Sequence, residues 1–155
     1  MVRLVSVFLI FFFTLLSTNG FSQDLDYIRN NYHKAVKEKS ICKVLVEMLK
    51  AKDNEISITE LAYLGALEII WANHVINPFS KLKAFRDGKE KIEKAATQTP
   101  KNIEISYLRL SVQKNAPSFL GYNDNINEDT EFLKEHRHQI KSVVLQKNVE
   151  ALLGE

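Results

Sequence analysis

Apolar residues are distributed along this chain in two different ways. From Leu4 to Leu16 they run almost without interruption. From Leu25 onward they recur every three or four residues, the spacing that gives a helix one buried face. Leu25, Ile28, Tyr32, Ala35 and Val36 share a face of a first predicted helix. Ser40 stands where it can cap a second, whose Ile41, Val44, Leu45, Met48 and Leu49 keep the same period. Ser57-Ile-Thr-Glu60 is a capping box, with Ile56 and Leu61 at the two hydrophobic-staple positions. The helix it opens is apolar nearly all round as far as Val75, so it is expected at the centre of the fold, with Gly65 and Ala66 permitting close approach.

Asn77-Pro78 ends that helix and starts the next, Asn as cap and Pro in the first turn. Leu82, Phe85, Ile92, Ala95 and Ala96 are its expected inward residues, and it stops before Pro100. A fifth helix, from Asn102 to about Lys114, carries two stripes. Ile105, Leu108 and Val112 form one; Ile103, Tyr107 and Leu110 form the other, opposite it. Two opposed stripes need two neighbours, so this helix is expected to be sandwiched. After a loop over 115–124, a long helix is predicted from about Asn127. Its buried face would be Phe132, Leu133, His136, Ile140, Val143 and Val144, and it would run on through Leu152 and Leu153 to Gly154. No strand-like alternation appears. The pattern predicts an all-α fold of about six helices in stacked hairpins or an orthogonal bundle.

The uninterrupted run has a separate meaning. Met1-Val-Arg3 is a short basic start, Leu4–Leu16 has the length of a signal core, and small or polar residues follow. Thirteen residues fall short of the roughly 20 that span a bilayer. The expectation is a cleavable signal peptide over 1–22, cut at Ser22/Gln23, then a single all-helical domain over 23–155. Residues 1–22 would stand off that domain as a helix of their own. The chain would be exported, to the periplasm or beyond the cell, without stable membrane insertion once cleaved.

That division changes the reading of composition. Five of the nine Phe lie in the leader, so the mature core is less aromatic than the full chain. The 21 Lys and Arg and 19 Asp and Glu give a net charge of +2, and removing Arg3 leaves +1. A near-neutral chain has no long-range field to draw nucleic acid, and no nucleic-acid partner is expected. Cys42 is alone, so no intrachain disulfide can form, and its place beside an apolar stripe reads as a small core filler.

Two resemblances refine the fold. Gly88, Ile92, Ala95 and Pro100 keep the spacing of the second half of a tetratricopeptide repeat, and Leu64-Gly65 is similar to its Leu-Gly pair. Between Tyr63 and Asp129, the chain also resembles an uncharacterised family of small exported bacterial helical proteins. The similarity rests on Asn77-Pro78-Phe79, Lys81, Gly88, Pro100, Glu104, Leu108-Arg109 and the run Gln113-Lys-Asn-Ala-Pro-Ser-Phe-Leu-Gly-Tyr122. It implies export and tetratricopeptide-like helix packing, and it carries no activity.

Chemical motifs are few. His136 and His138, two apart on a helix, point about 200° from each other and cannot share an ion. Asn123–Asp129 lacks the Gly and the terminal Glu of a calcium loop. No nucleophile elbow, phosphate loop or dinucleotide fingerprint occurs, so no metal, cofactor or catalytic residue is assigned. What stands out is the polar edge of the fifth helix, where Arg109 and Gln113 lie between its apolar stripes. Asp129 sits on an otherwise apolar face of the next helix. Arg109 is expected to pair with Asp129, tying down the loop, with Tyr122 bonded nearby.

Two functions compete. The first is a non-enzymatic exported module that binds a protein or peptide in a groove between hairpins, through exposed Tyr63, Asn73 and Arg109, with Gln113 and Tyr122 as further candidates. The alternative is a small envelope enzyme or ligand-binding protein, its pocket beside helix 102–114 and the 115–126 loop.

Overall fold

The structure, a computed structural model, describes the backbone of residues 19–154 and side chains from Gln23 onward. The expected free-standing leader helix lies outside the described residues, apart from 19–22, which begin the first described helix. Among the described residues there are seven α-helices and no strand, packed in adjacent pairs. They are α1 (Asn19–Lys37), α2 (Lys39–Lys50), α3 (Ile58–His74), α4 (Pro78–Gln98), α5 (Ile103–Asn115), α6 (Ile126–His136) and α7 (Val143–Leu153).

Local chemistry sets most helix starts. Ser57 Oγ accepts from Glu60 N at 3.3 Å while the Glu60 carboxylate accepts from Ser57 N at 2.9 Å, closing the expected box at the head of α3. Asn77 Oδ1 accepts from Phe79 N and Ser80 N, with Pro78 supplying the first residue of α4. Asn102 does the same for α5, taking Glu104 N and Ile105 N. At α2 the expected cap is displaced. Glu38 holds the cap position without a side-chain bond, and Ser40 lies inside the first turn.

One expected helix is two. The chain from Ile126 stops at His136, passes through a 3-10 turn over Arg137–Gln139, and restarts after Ser142. Ser142 Oγ accepts from Leu145 N at 3.3 Å, so a fresh cap outcompetes continuation of the first helix. The restart rotates the face. Leu145 and Val149 are buried in α7, whereas Val143, expected inward, is exposed.

α3 occupies the centre, with Ala62, Tyr63, Leu64, Ala66, Leu67 and Ile70 all buried. It packs most extensively on α4, and the two helices approach closely where glycine meets glycine. A Cβ placed on Gly65 would lie 2.6 Å from the Gly88 carbonyl oxygen, and one on Gly88 would strike the Gly65 carbonyl. α5 is sandwiched as the two stripes require. Its Ile105, Leu108 and Val112 are buried on one side and Tyr107 and Leu110 on the other.

Candidate functional site

The polar edge of α5 brings the sequence-singled residues together. Arg109 Nε donates to Asp129 Oδ2 at 2.7 Å and Nη2 donates to Oδ1 at 2.8 Å, a bidentate pair between α5 and α6. Gln113 Nε2 donates to Asn125 Oδ1 and its Oε1 accepts from Asn125 N, both at 3.2 Å. Tyr122 donates to Glu93 of α4 at 2.6 Å, and Arg109 Nη1 lies 3.7 Å from the same carboxylate. Lys89 Nζ sits 4.7 Å above the Tyr122 ring, whose edge meets Phe85. Burial, and then the Glu93 charge, hold the Tyr122 phenol well above its ordinary pKa, so it stays a donor. These contacts strap the 115–125 loop onto α4 and α5. Their donors and acceptors face one another.

A second interior network was invisible in the sequence because its members lie far apart along the chain. Arg29 of α1 grips Glu104 of α5 with Nε at 2.7 Å and Nη2 at 2.6 Å, and Tyr63 of α3 donates to the same carboxylate at 2.6 Å. Burial, with the Glu104 charge beside it, pushes the Tyr63 phenol far up. Tyr107 is hydrogen-bonded to His33 at 3.1 Å and Tyr32 to Ser111 at 3.2 Å. Two acids of α3 are met from outside: Glu60 by Lys52, and Glu68 by Lys50 at 3.0 Å and Lys91 at 2.7 Å. The Lys91 contact is a charge contact without hydrogen-bond alignment, which leaves Glu68 Oε2 the one such buried atom among the described side chains.

The exposure expected of the candidate binding residues differs accordingly. Tyr63, Gln113 and Tyr122 are buried, Arg109 nearly so, and Asn73 alone is exposed. The reason is physical: each of the four has an internal hydrogen-bond partner, and for Tyr63 and Arg109 that partner, Glu104 or Asp129, is itself a buried carboxylate. Among the described residues no group of three or more His, Cys, Asp or Glu could hold a metal ion. Cys42 is fully buried, donates weakly to the Leu67 carbonyl, and burial raises its thiol to about 11. A shallow, open depression of about 310 Å³ lies between Arg29, Lys101, Glu104, Lys141 and Leu145, and its best polar groups, Arg29 and Glu104, already hold each other.

Exposed large apolar side chains occur singly at Tyr27, Val44 (expected inward) and Val143, and together at the turn from α3 into α4. Ile76 is 96% exposed and Phe79 82%, at the turn from α3 into α4, and Leu82 follows at 43%. Leu82 was expected inward; it sits at the edge of the buried face formed by Phe85, Gly88, Ile92, Ala95 and Ala96. Phe79 lies about 150° from the centre of that face on a helical wheel, a signal present in the sequence. His74 Nε2 donates to the Ala35 carbonyl at 2.9 Å and Lys39 Nζ lies 5.4 Å over Trp71, which seats the α1–α2 turn beside this end of α3. Half-exposed Val36, expected inward, belongs to that turn, with Lys37, Glu38 and Lys39. Phe119, 85% exposed, stands on the loop whose Tyr122 meets Phe85, Lys89 and Glu93 farther along α4. Around Phe79 stand Lys81, Lys83 and Arg86, all exposed, with Lys83 paired to Asp87.

The start of α4 presents exposed apolar side chains with exposed Lys81, Lys83 and Arg86 following them in the same helix. No family model matches the chain, and no curated protein or solved structure matches it significantly, so its own side chains carry the functional reading.

Proposed function

We propose that this chain is an exported, non-enzymatic helical module of the cell envelope that acts by contact, through the corner built by Ile76, Phe79 and Leu82. One observation carries the reading. Most interior polar groups are paired with each other, while Ile76, Phe79 and Leu82 stand in solvent where α3 turns into α4. Exposed apolar residues scattered singly need no explanation; several together at one end of the fold mark an interaction surface. Export rests on the leader-like run over Leu4–Leu16. The close Gly65–Gly88 crossing supports reading α3 and α4 as one tetratricopeptide-like unit.

A groove contact through Tyr63 and Arg109 would need those side chains free, and both are engaged inside. Their burial moves the proposed contact from the groove to the corner. A ligand site beside α5 and the 115–126 loop has against it the filled bond sets of Arg109, Gln113 and Tyr122. The test is site-directed photo-crosslinking in exporting cells, with the probe at Ile76 or Phe79 and, as controls, at exposed Glu131 or Lys147. Adducts from the corner positions are expected. Adducts from the control positions alone would count decisively against the corner.

A further inference from the structure

We infer that the α3–α4 corner docks on an anionic lipid surface, Ile76 and Phe79 entering the interface while Lys83 and Arg86 meet the phosphate head groups. The inference rests on the contact reading above and names its partner.

Shape separates lipid from protein as the occupant. Side chains left 96% and 82% exposed stand on a convex tip. A folded partner would need a cavity shaped to receive that tip, whereas a fluid interface takes up protruding apolar groups without prior shape. Both residues flank the capped turn at Asn77-Pro78, where Asn77 Oδ1 already satisfies the amides of Phe79 and Ser80. Inserting the tip therefore strips water from few unpaired backbone donors.

Charge is graded along the same helix. Phe79, Leu82, Lys83 and Arg86 fall on one side of α4 at helical spacing; Lys89, the next on that side, is held over the Tyr122 ring. With a rise of 1.5 Å per residue, Leu82 lies about 4.5 Å, Lys83 about 6 Å and Arg86 about 10 Å behind Phe79. Apolar groups at an interface reach about 5–10 Å into the head-group boundary, so a tip entering end-on as far as Leu82 leaves Lys83 and Arg86 level with phosphate. Long basic side chains bend toward that layer while their stems stay with the apolar part. Lys81 and Arg86 hold no ion pair among the described residues, and Lys37 and Lys39 on the adjoining turn extend the positive rim. The acids nearby are Glu38 on that turn, Asp87, which Lys83 holds, Glu68 of α3, which Lys50 and Lys91 hold and whose charge also reaches Lys83, and Glu90, about 16 Å behind the tip. A net charge of +2 conceals this local excess.

The test uses protein recovered after export, its intact mass first reporting whether the leader has been removed. Co-sedimentation is measured with vesicles of phosphatidylglycerol mixed with phosphatidylcholine, and with phosphatidylcholine alone. Binding is expected to the anionic vesicles and to weaken with added salt. Phe79→Ser should reduce it about tenfold, and Arg86→Gln about fivefold. Both side chains are exposed, so circular dichroism should show unchanged thermal midpoints. No sedimentation with anionic vesicles, or sedimentation undiminished by Phe79→Ser, overturns the inference. If vesicles hold neither form while a protein is crosslinked from position 79 in cells, the lipid partner is wrong and the contact reading stands. If neither contact is found at the corner, both fail.

Discussion

Replacing Arg109 by Met tests whether the α5–α6 pair is structural. Arg109 holds Asp129 by two hydrogen bonds of 2.7 and 2.8 Å, and the Asp129 side chain is 2% exposed. The Met stem fills much of the space of the Arg stem but leaves Asp129 a buried carboxylate without its counter-charge. Removing one partner of a buried pair costs about 3–5 kcal/mol. For a domain of this size that is a fall of about 10–15 °C in thermal midpoint. The double variant Arg109→Met with Asp129→Leu removes both charges together, and it should recover most of the loss, since an apolar replacement of a buried pair is often neutral or better. Thermal and urea unfolding of the wild type, both single variants and the double variant give the coupling directly. A single variant losing less than about 1 kcal/mol, or a double variant no more stable than Arg109→Met, would refute the reasoning. Either result would return Arg109 to the pool of residues free to meet a ligand.

Three further outcomes follow from the packing and the titrating groups. Gly88→Ala should destabilise by about 1–3 kcal/mol despite a gain near 1 kcal/mol in helix propensity, because the new Cβ meets the Gly65 carbonyl and Ile69 Cγ1 at 2.7 Å; a raised midpoint would contradict the close crossing. Cys42, its thiol lifted to about 11 by burial, should resist iodoacetamide at neutral pH in the folded protein and react once urea unfolds it. Burial opposes ionisation of Glu60, but hydrogen bonds from Lys52 and Ser57 outweigh it and hold the carboxyl below its ordinary value of 4.5. Its contribution is then fully present above the ordinary carboxylate range and lost as pH falls through the depressed folded value. Glu60→Gln, which can still close the capping box, should be less stable than wild type near neutrality, with the gap in midpoint closing as pH falls below the ordinary carboxylate range.

Much of the helical framework was legible because its signals are local. Ser57 with Glu60, Asn77 with Pro78 and Asn102 each cap within three residues, and the two stripes of α5 foretold its sandwiched place. Arg109 and Asp129 could be paired because each was a charge stranded on an apolar surface. The break between α6 and α7 was missed because Val143 and Val144 extend the apolar period across it, although Ser142 three residues before Leu145 was a usable cap signal. The Arg29–Glu104–Tyr63 network was out of reach. Glu104 in a first turn looks like an ordinary dipole partner, and nothing local points to an arginine 75 residues away. The exposed corner was half legible: the helical wheel turns Phe79 away from the core, but only the packed fold shows that no other element covers it among the described residues.

The central claim is a division of labour, with the interior network holding the fold and the apolar corner making contact. Co-sedimentation of Phe79→Ser and Tyr122→Phe with anionic vesicles, below both unfolding midpoints, tests it most directly. Tyr122→Phe loses its bond to Glu93 and should unfold earlier, yet sediment as wild type does. Phe79→Ser should unfold as wild type does and remain in the supernatant. The reverse pattern, vesicle binding lost with Tyr122→Phe and kept with Phe79→Ser, would contradict the account.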